Sequence, residues 1–120
     1  MALILIVDDA KFSRLVTGST LKAEGYEVIE AENGSAGVEK TIESSPDLII
    51  TDLLMPVMDG VELIKTLREK KINTPILVLT SNIQKTIREK CMELGATNFM
   101  NKPPSKQELK SLVREILQNS

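Results

Sequence analysis

The chain has 120 residues, of which 42% are hydrophobic and 27% are charged, a balance typical of one folded domain and too apolar for a disordered chain. Fifteen Lys and Arg against seventeen Asp and Glu give a net charge of -2, which disfavours generic binding of DNA or RNA. Cys91 has no second cysteine to pair with, and no apolar run approaches the ~20 residues that cross a bilayer. We expect a cytoplasmic protein that contacts neither membrane nor nucleic acid.

Five short apolar runs predict strands, and five amphipathic stretches between and after them predict helices. In chain order the predicted elements are a strand from Leu3 to Val7, a helix from Phe12 to Glu24, a strand from Glu27 to Ala31, a helix from Ser35 to Glu43, a strand from Leu48 to Thr51, a helix from Val61 to Glu69, a strand from Ile76 to Leu79, a helix from Gln84 to Leu94, a strand from Asn98 to Met100 and a helix from Lys106 to Leu117. Gly25 and Gly95 mark expected helix ends, and Asn33 and Ser105 mark expected helix starts. Regular alternation predicts an α/β fold with a mostly parallel sheet, doubly wound by helices on both faces.

Polar residues follow the apolar runs, at the sheet edge where open parallel sheets bind their ligands. They are Asp8 and Asp9 after the first run, Thr51 and Asp52 at the third, Thr80 and Ser81 after the fourth, and Asn101 and Lys102 after the fifth. One Asp suffices to cap a helix, whereas two adjacent acids repel each other unless a cation compensates them. Oxygen ligands without His or Cys support indicate a hard cation, most naturally Mg²⁺.

The absence of histidine excludes imidazole bases and His-dependent nucleophiles. A carboxylate beside Mg²⁺ and an ammonium group can nevertheless attack phosphorus as a nucleophile. Phosphoryl transfer depends on positioning and charge stabilisation more than on an acid or base, so it suits this residue set.

The sequence resembles the receiver domains of two-component response regulators over essentially its whole length, residues 1–120. The resemblance is carried by I-V-D-D at Ile6 to Asp9, A-E-N-G at Ala31 to Gly34, P-D-L-I-I-T-D-L-L-M-P at Pro46 to Pro56, M-D-G at Met58 to Gly60, L-T-S at Leu79 to Ser81 and N-K-P at Asn101 to Pro103. It implies a flavodoxin-like sheet of five strands in the order 2-1-3-4-5, with two helices on one face and three on the other, an order known for this family.

The resemblance also implies a metal-dependent phosphoacceptor. Asp52 would accept a phosphoryl group from a histidine kinase or phosphotransfer protein, with small acyl phosphates as alternative donors. Asp9 would bind Mg²⁺ directly and Asp8 largely through water, while Asp52 and the backbone carbonyl of Leu54 complete the protein ligands.

Further residues would bind the phosphoryl group or respond to it. Lys102 would pair with its oxygens, and Thr80 and the backbone N–H of Ser81 would donate hydrogen bonds to it. The bond between Lys102 and Pro103 is expected to be cis, and Phe99 matches the aromatic switch position of the family.

The implied function is a signalling switch and not an enzyme. Phosphorylation would repack the fourth helix, fifth strand and fifth helix, and a downstream target would bind that face of a monomeric receiver, with a phosphatase as a further partner. Chemotaxis-type control is one candidate output. A stand-alone protein is expected, although a receiver cut from a larger regulator or hybrid kinase is the other context.

Two positions depart from many relatives. Pro104 stands where an aromatic residue is frequent, which leaves the start of the last helix and part of the output face open. Leu54 is apolar and cannot orient an attacking water, so slower self-hydrolysis of the phosphoryl group is predicted.

Three other functions are alternatives. A haloacid dehalogenase-type phosphatase needs an acid two residues after its nucleophile, where this chain has Leu54, and a flavin-binding domain would not present Asp8 and Asp9 to a phosphate. A phosphate-independent interaction module stays as the alternative, although such modules typically lose one of the acids or the lysine.

Overall fold

The computed structural model describes residues 1–82 and 84–119, and it contains five strands and five helices in strict alternation. They are β1 (Leu3–Val7), α1 (Lys11–Lys22), β2 (Glu27–Ala31), α2 (Gly34–Ser44), β3 (Leu48–Thr51), α3 (Gly60–Glu69), β4 (Ile76–Thr80), α4 (Lys85–Leu94), β5 (Asn98–Asn101) and α5 (Lys106–Gln118). The strands pair in parallel in the order β2-β1-β3-β4-β5. The predicted α/β class and the strand order implied by the resemblance are therefore confirmed.

The observed bounds differ from the predicted ones mainly at element ends. β4 and β5 each run one residue further than predicted, because Thr80 and Asn101 form a last pair in the sheet. α1 ends at Lys22, two residues before the predicted end, and Gly25 lies in the following turn with a φ of 93°. Thr80 is thus the last residue of a strand and does not lie beyond it.

Successive strand residues point into two separate hydrophobic cores, as the period of two along a strand requires. One core packs Leu5, Val7, Ile49 and Val78 against α2, α3 and α4. The other packs Ile4, Ile6, Ile50, Leu77 and Leu79 against α1 and α5. Both faces of the central strands are covered, so β3 and β4 are buried at every position and β1 at every position after its first, and apolar side chains dominate all three.

A tight loop joins β3 to α3 and lies directly under the carboxyl end of β3. The backbone N–H of Gly60 donates to the carbonyl of Leu53 (2.9 Å), and that of Gly34 donates to the carbonyl of Met58 (2.9 Å). A Cβ at Gly60 would overlap the carbonyl oxygen of Asp52, and one at Gly34 would lie 2.5 Å from that of Met58. Gly60 therefore lets the loop pack against the end of β3, and Gly34 lets the start of α2 pack against the loop.

The helix starts confirm two of the sequence signals. The side chains of Asn33 and Ser105 accept hydrogen bonds from the backbone N–H groups of Ala36 (2.8 Å) and Glu108 (3.0 Å), and so cap α2 and α5. In the described part of the chain, no helix combines the length and hydropathy needed to cross a membrane.

Candidate functional site

The carboxyl edge of the sheet brings Asp8, Asp52 and Lys102 into direct contact. The Lys102 amine donates to Asp8 Oδ2 (2.6 Å) and to Asp52 Oδ2 (2.7 Å). The side chain of Lys102 is 18% exposed, that of Asp8 is 5% exposed and that of Asp52 is 11% exposed. These two charge-assisted hydrogen bonds are therefore largely shielded from water. One ammonium group thus neutralises part of the charge of two acids from adjacent strand ends.

The amine of Lys102 is held in its charged form. Burial alone lowers its pKa, but the hydrogen bonds and negative charges of Asp52 and Asp8 outweigh that effect and raise the pKa above its usual value. Lys102 follows the last residue of β5, and its backbone N–H donates to the carbonyl of Thr80 (2.9 Å). Its bond to Pro103 is cis.

Backbone N–H groups bind the second oxygen of each acid. Asp8 Oδ1 accepts from Ala10 N–H (3.0 Å), and Asp52 Oδ1 accepts from Leu53 N–H (2.6 Å). The backbone N–H of Asp52 continues the sheet by donating to the carbonyl of Val7 (3.0 Å). Both carboxylates are therefore fixed at both oxygens, with their negative charge concentrated at the strand ends.

Asp9, Leu54 and Ser81 lie at the open side of this edge. Asp9 is exposed and, among the described residues, its side chain forms no hydrogen bond or ion pair. The Leu54 side chain is exposed after β3, and Ser81 is exposed after β4. These predicted site residues surround the cluster formed by Lys102 with Asp8 and Asp52, but they are not bonded to it.

Thr80 is buried, and among the described residues its hydroxyl forms no hydrogen bond with the acids. Its Oγ1 accepts a hydrogen bond from the backbone N–H of Asn82 (3.3 Å), at the start of the segment that leads to α4. On the neighbouring strand, Phe99 is half-buried against the core that includes α4, and the Arg88 guanidinium lies 5.9 Å from its ring centroid. The two predicted switch residues thus both contact the α4 region.

Arg14 is a site-adjacent residue that the sequence reasoning missed. It donates to the backbone carbonyl of Asp8 (2.6 Å) and to Glu30 Oε1 (2.9 Å), and its side chain is 14% exposed. Its position one helical turn after an acidic pair was the available signal, but an arginine on α1 is equally typical of a solvated helix face.

The donor set fits Mg²⁺, because Asp8, Asp9 and Asp52 all offer hard oxygen ligands from two neighbouring strand ends. Within residues 1–82 and 84–119, however, no three acidic or cysteine side chains already surround one point as metal ligands. Asp9 is the free carboxylate of the set, whereas Asp8 and Asp52 are engaged by Lys102. A bound Mg²⁺ would therefore share with Lys102 the neutralisation of these acids.

The fold and the site define a class: a doubly wound parallel sheet with an acidic pair after β1, an aspartate after β3 and a lysine after β5. A sequence model of the response regulator receiver domain matches residues 4–114. The chain therefore belongs to the response regulator receiver domain family, whose members act as phosphoacceptor switches in two-component systems.

Relatives with different architectures share this domain. The chain is 38% identical over 117 residues to the alkaline phosphatase synthesis transcriptional regulatory protein PhoP of Bacillus subtilis, covering 98% of this chain and 49% of that protein. It is 40% identical over 101 residues to the chemotaxis protein CheY of Bacillus subtilis, covering 83% of this chain and 84% of that protein. The chain thus spans about half the length of the transcriptional regulator and most of the chemotaxis protein.

A solved structure gives the same fold. The chemotaxis response regulator CheY4 of Vibrio cholerae superimposes with a TM-score of 0.90 at 34% sequence identity, covering 97% of this chain and 98% of that one. The similarity extends over all five strands and helices.

Proposed function

We propose that residues 1–120 act as one phosphorylatable receiver in which Asp52 accepts a phosphoryl group from the phosphohistidine of a histidine kinase or phosphotransfer protein. A carboxylate oxygen of Asp52 forms a bond to phosphorus while the P–N bond of the donor breaks, and the donor imidazole leaves with the bonding electrons and takes up a proton. The product is an acyl phosphate on Asp52. Family membership and the arrangement of Asp52 with Lys102 and Asp8 support this proposal.

The single observation that carries the proposal is the hydrogen bond from the Lys102 amine to Asp52 Oδ2, which is 2.7 Å long. Both side chains are largely buried. An ammonium group this close can stabilise the negative charge that a phosphoryl group brings to Asp52. Thr80 and the backbone N–H of Ser81 are proposed as further donors to that group. Thr80 is the last residue of β4 and Ser81 follows it, and β4 is the strand next to β3.

Asp8, Asp9, Asp52 and the backbone carbonyl of Leu54 are proposed to hold Mg²⁺. When bound, Mg²⁺ would neutralise charge on both the acids and the incoming phosphoryl oxygens. Asp9 is the residue best able to serve as a direct ligand, because its carboxylate is exposed and has no partner within the described part of the chain. Asp8 and Asp52 contribute the remaining charge.

The proposed switch runs through Thr80 and Phe99 to the face formed by α4, β5 and α5. If the Thr80 hydroxyl turned to bond the phosphoryl group, the N–H of Asn82 would lose its present acceptor. That N–H lies at the start of the segment leading to α4, and Phe99 packs beside that helix. A target protein is proposed to bind this face, and a chemotaxis-type target is one candidate.

The donor protein is proposed to dock on α1 beside the site. Phe12, Leu15 and Val16 expose apolar surface at helical spacing, and Phe12 is 76% exposed. Phe12 and Val16 line a cavity of about 380 Å³ whose other lining residues include Ser81, Lys102, Pro103 and Pro104. Because this apolar cavity is continuous with the proposed phosphoryl site, a helix that carries the phosphohistidine can fill it.

The first test is intact mass after incubation of the chain with a small acyl phosphate, with and without Mg²⁺. Wild type and the control Asp47→Asn are expected to gain one phosphoryl mass only with Mg²⁺, and Asp52→Asn is expected to gain none. Asp47 is a suitable control because it is an exposed aspartate at the opposite end of β3. No gain from the acyl phosphate or from a phosphorylated histidine kinase would favour the phosphate-independent interaction module.

The docking surface is tested by the choice of donor. Phe12→Ser should slow transfer from a phosphorylated kinase much more than labelling by the small acyl phosphate, because only the kinase needs the apolar surface. Ile42→Ser, which removes an exposed apolar side chain from α2, is the matched control. Equal loss with both donors would contradict docking at α1.

A further inference from the structure

Arg14 connects α1 to the ends of two strands. Its Nη1 donates to the carbonyl oxygen of Asp8 (2.6 Å), and its Nε donates to Glu30 Oε1 on β2 (2.9 Å). Because the guanidinium is planar and binds at two points, its direction is fixed from both sides. The Arg14 side chain is only 14% exposed, whereas that of Glu30 is 41% exposed, so water competes mainly at the Glu30 end.

The bond to the Asp8 carbonyl fixes the peptide unit between Asp8 and Asp9. A peptide unit is planar, so an anchored carbonyl also sets the direction in which the next Cα departs. The other end of Asp8 is fixed as well, since its N–H donates to the carbonyl of Ala31 (3.0 Å). Asp9 forms no side-chain bond with any described residue, so its backbone sets the direction of its Cα–Cβ bond and thereby the region that its carboxylate can reach.

We propose that Arg14 is a positioning residue for the acidic pair: anchored by Glu30, it holds the Asp8–Asp9 peptide in the orientation that lets Asp9 bind Mg²⁺. This inference rests on the proposed metal-dependent receiver function. Arg14 contacts neither the metal nor the phosphoryl group in this arrangement, and it acts only through the backbone of Asp8. Partners of this kind typically change metal affinity by about 10–100-fold.

Charge and positioning predict opposite effects when Arg14 is removed. A guanidinium near the acidic pair repels a second cation, so charge alone predicts that Arg14→Gln binds Mg²⁺ more tightly than wild type. Positioning predicts weaker binding. Arg14→Lys keeps the positive charge but loses the planar two-point geometry, and should therefore also bind more weakly.

The experiment is calorimetric titration of the full chain with Mg²⁺. Arg14→Gln and Arg14→Lys are expected to raise the dissociation constant about tenfold. Glu30→Gln, which removes the anchor but keeps the arginine, should raise it by a smaller factor. Arg114→Gln is the matched control, because Arg114 pairs with Glu24 on an exposed surface and should leave the constant unchanged.

Unfolding in urea identifies any variant that has lost its fold, and Arg14→Lys together with Glu30→Gln carries the test if Arg14→Gln does not fold. Unchanged or tighter Mg²⁺ binding in the folded Arg14 variants would overturn the positioning role while leaving the receiver function intact. Failure of the wild-type chain to bind Mg²⁺ would overturn the proposed metal-dependent function, and this inference with it.

Discussion

Replacing Gly60 with alanine should displace the backbone that carries Asp52, because there is no space for a methyl group beside it. A Cβ at Gly60 would overlap the carbonyl oxygen of Asp52 and lie 2.9 Å from the Cα of Leu53. These are backbone atoms, which cannot rotate away as the end of a flexible side chain could. The loop must therefore shift relative to β3, and Asp52 must move with it.

Three other glycines provide an internal scale for this effect. A Cβ at Gly18, inside α1, would lie at ordinary contact distances of 3.6 Å from Val28 Cγ1 and 3.7 Å from Ile6 Cδ1. Gly25 has a φ of 93° and nothing within 4 Å, so alanine there meets backbone strain but no clash. A Cβ at Gly34 would lie 2.5 Å from the carbonyl oxygen of Met58.

The expected free energies of unfolding follow from these differences. Gly18→Ala should be neutral or stabilise by about 0.5–1 kcal/mol, because alanine is the better helix former. Gly25→Ala should destabilise by about 1–2 kcal/mol through the left-handed conformation. Gly60→Ala and Gly34→Ala should each cost about 3 kcal/mol or more, the upper range for forced overpacking.

Urea unfolding of the four variants measures this order, and labelling by an acyl phosphate measures the effect on Asp52. Gly60→Ala should label more slowly than Gly25→Ala even where both are fully folded, because only Gly60 contacts the Asp52 backbone. If Gly60→Ala were as stable as Gly18→Ala, the reasoning from backbone contact would be refuted.

Three further predictions concern the loop and the site. Val57 is 83% exposed with a φ of 70°, so Val57→Asn should raise the free energy of unfolding by about 1 kcal/mol in urea; an unchanged value would mean that the valine is not strained. The ion pairs with Asp52 and Asp8 raise the pKa of Lys102. On the alkaline side, the contribution of Lys102 to stability is therefore complete up to the ordinary lysine pKa of about 10.4 and is lost as pH rises through its higher folded value. From neutral pH upwards, the stability difference between wild type and Lys102→Met should shrink only above that pH, and a decline that begins near neutrality would contradict this. On the proposed function, Leu54→Asn should speed loss of the phosphoryl group, because a polar side chain can orient a water, and an unaltered decay of the phosphorylated mass would refute this.

The fold was predictable because the central strands are short and almost entirely apolar, and because amphipathic helices separate all five strands regularly. The runs at Leu48–Thr51 and Ile76–Thr80 are buried at every position. Short, nearly continuous apolar runs of this kind are typical of parallel strands that are covered on both faces. Strand order was a different matter. Alternation of strands and helices is compatible with several strand orders. The family resemblance alone predicted the order that the structure shows.

The ends of elements were harder to predict because they depend on pairing between segments distant in sequence. Thr80 belongs to β4 since it pairs with Asn101 on β5, and nothing in the local pattern of residues near Thr80 reports that pair. By contrast, α1 ends at Lys22 through local bonds, although Glu24 fits the helical pattern. The backbone N–H groups of Glu24 and Gly25 donate to the carbonyls of Leu21 and Lys22, which tightens the last turn before Gly25 turns the chain.

The site was predictable as a set of residues but not as a set of bonds. Chain order placed Asp8, Asp52 and Lys102 at one edge, because parallel strands end together. The bond from Lys102 to Asp52 spans 50 residues and the one to Asp8 spans 94, and such pairing follows from side-chain direction at each strand end. The roles of Arg14 and Gly60 were harder to predict, because both residues contact backbone carbonyls. Every residue has a backbone carbonyl, so no sequence pattern distinguishes the ones that these two residues contact. A search for residues that position a charged site should therefore begin with the donors to its backbone as well as with its side chains.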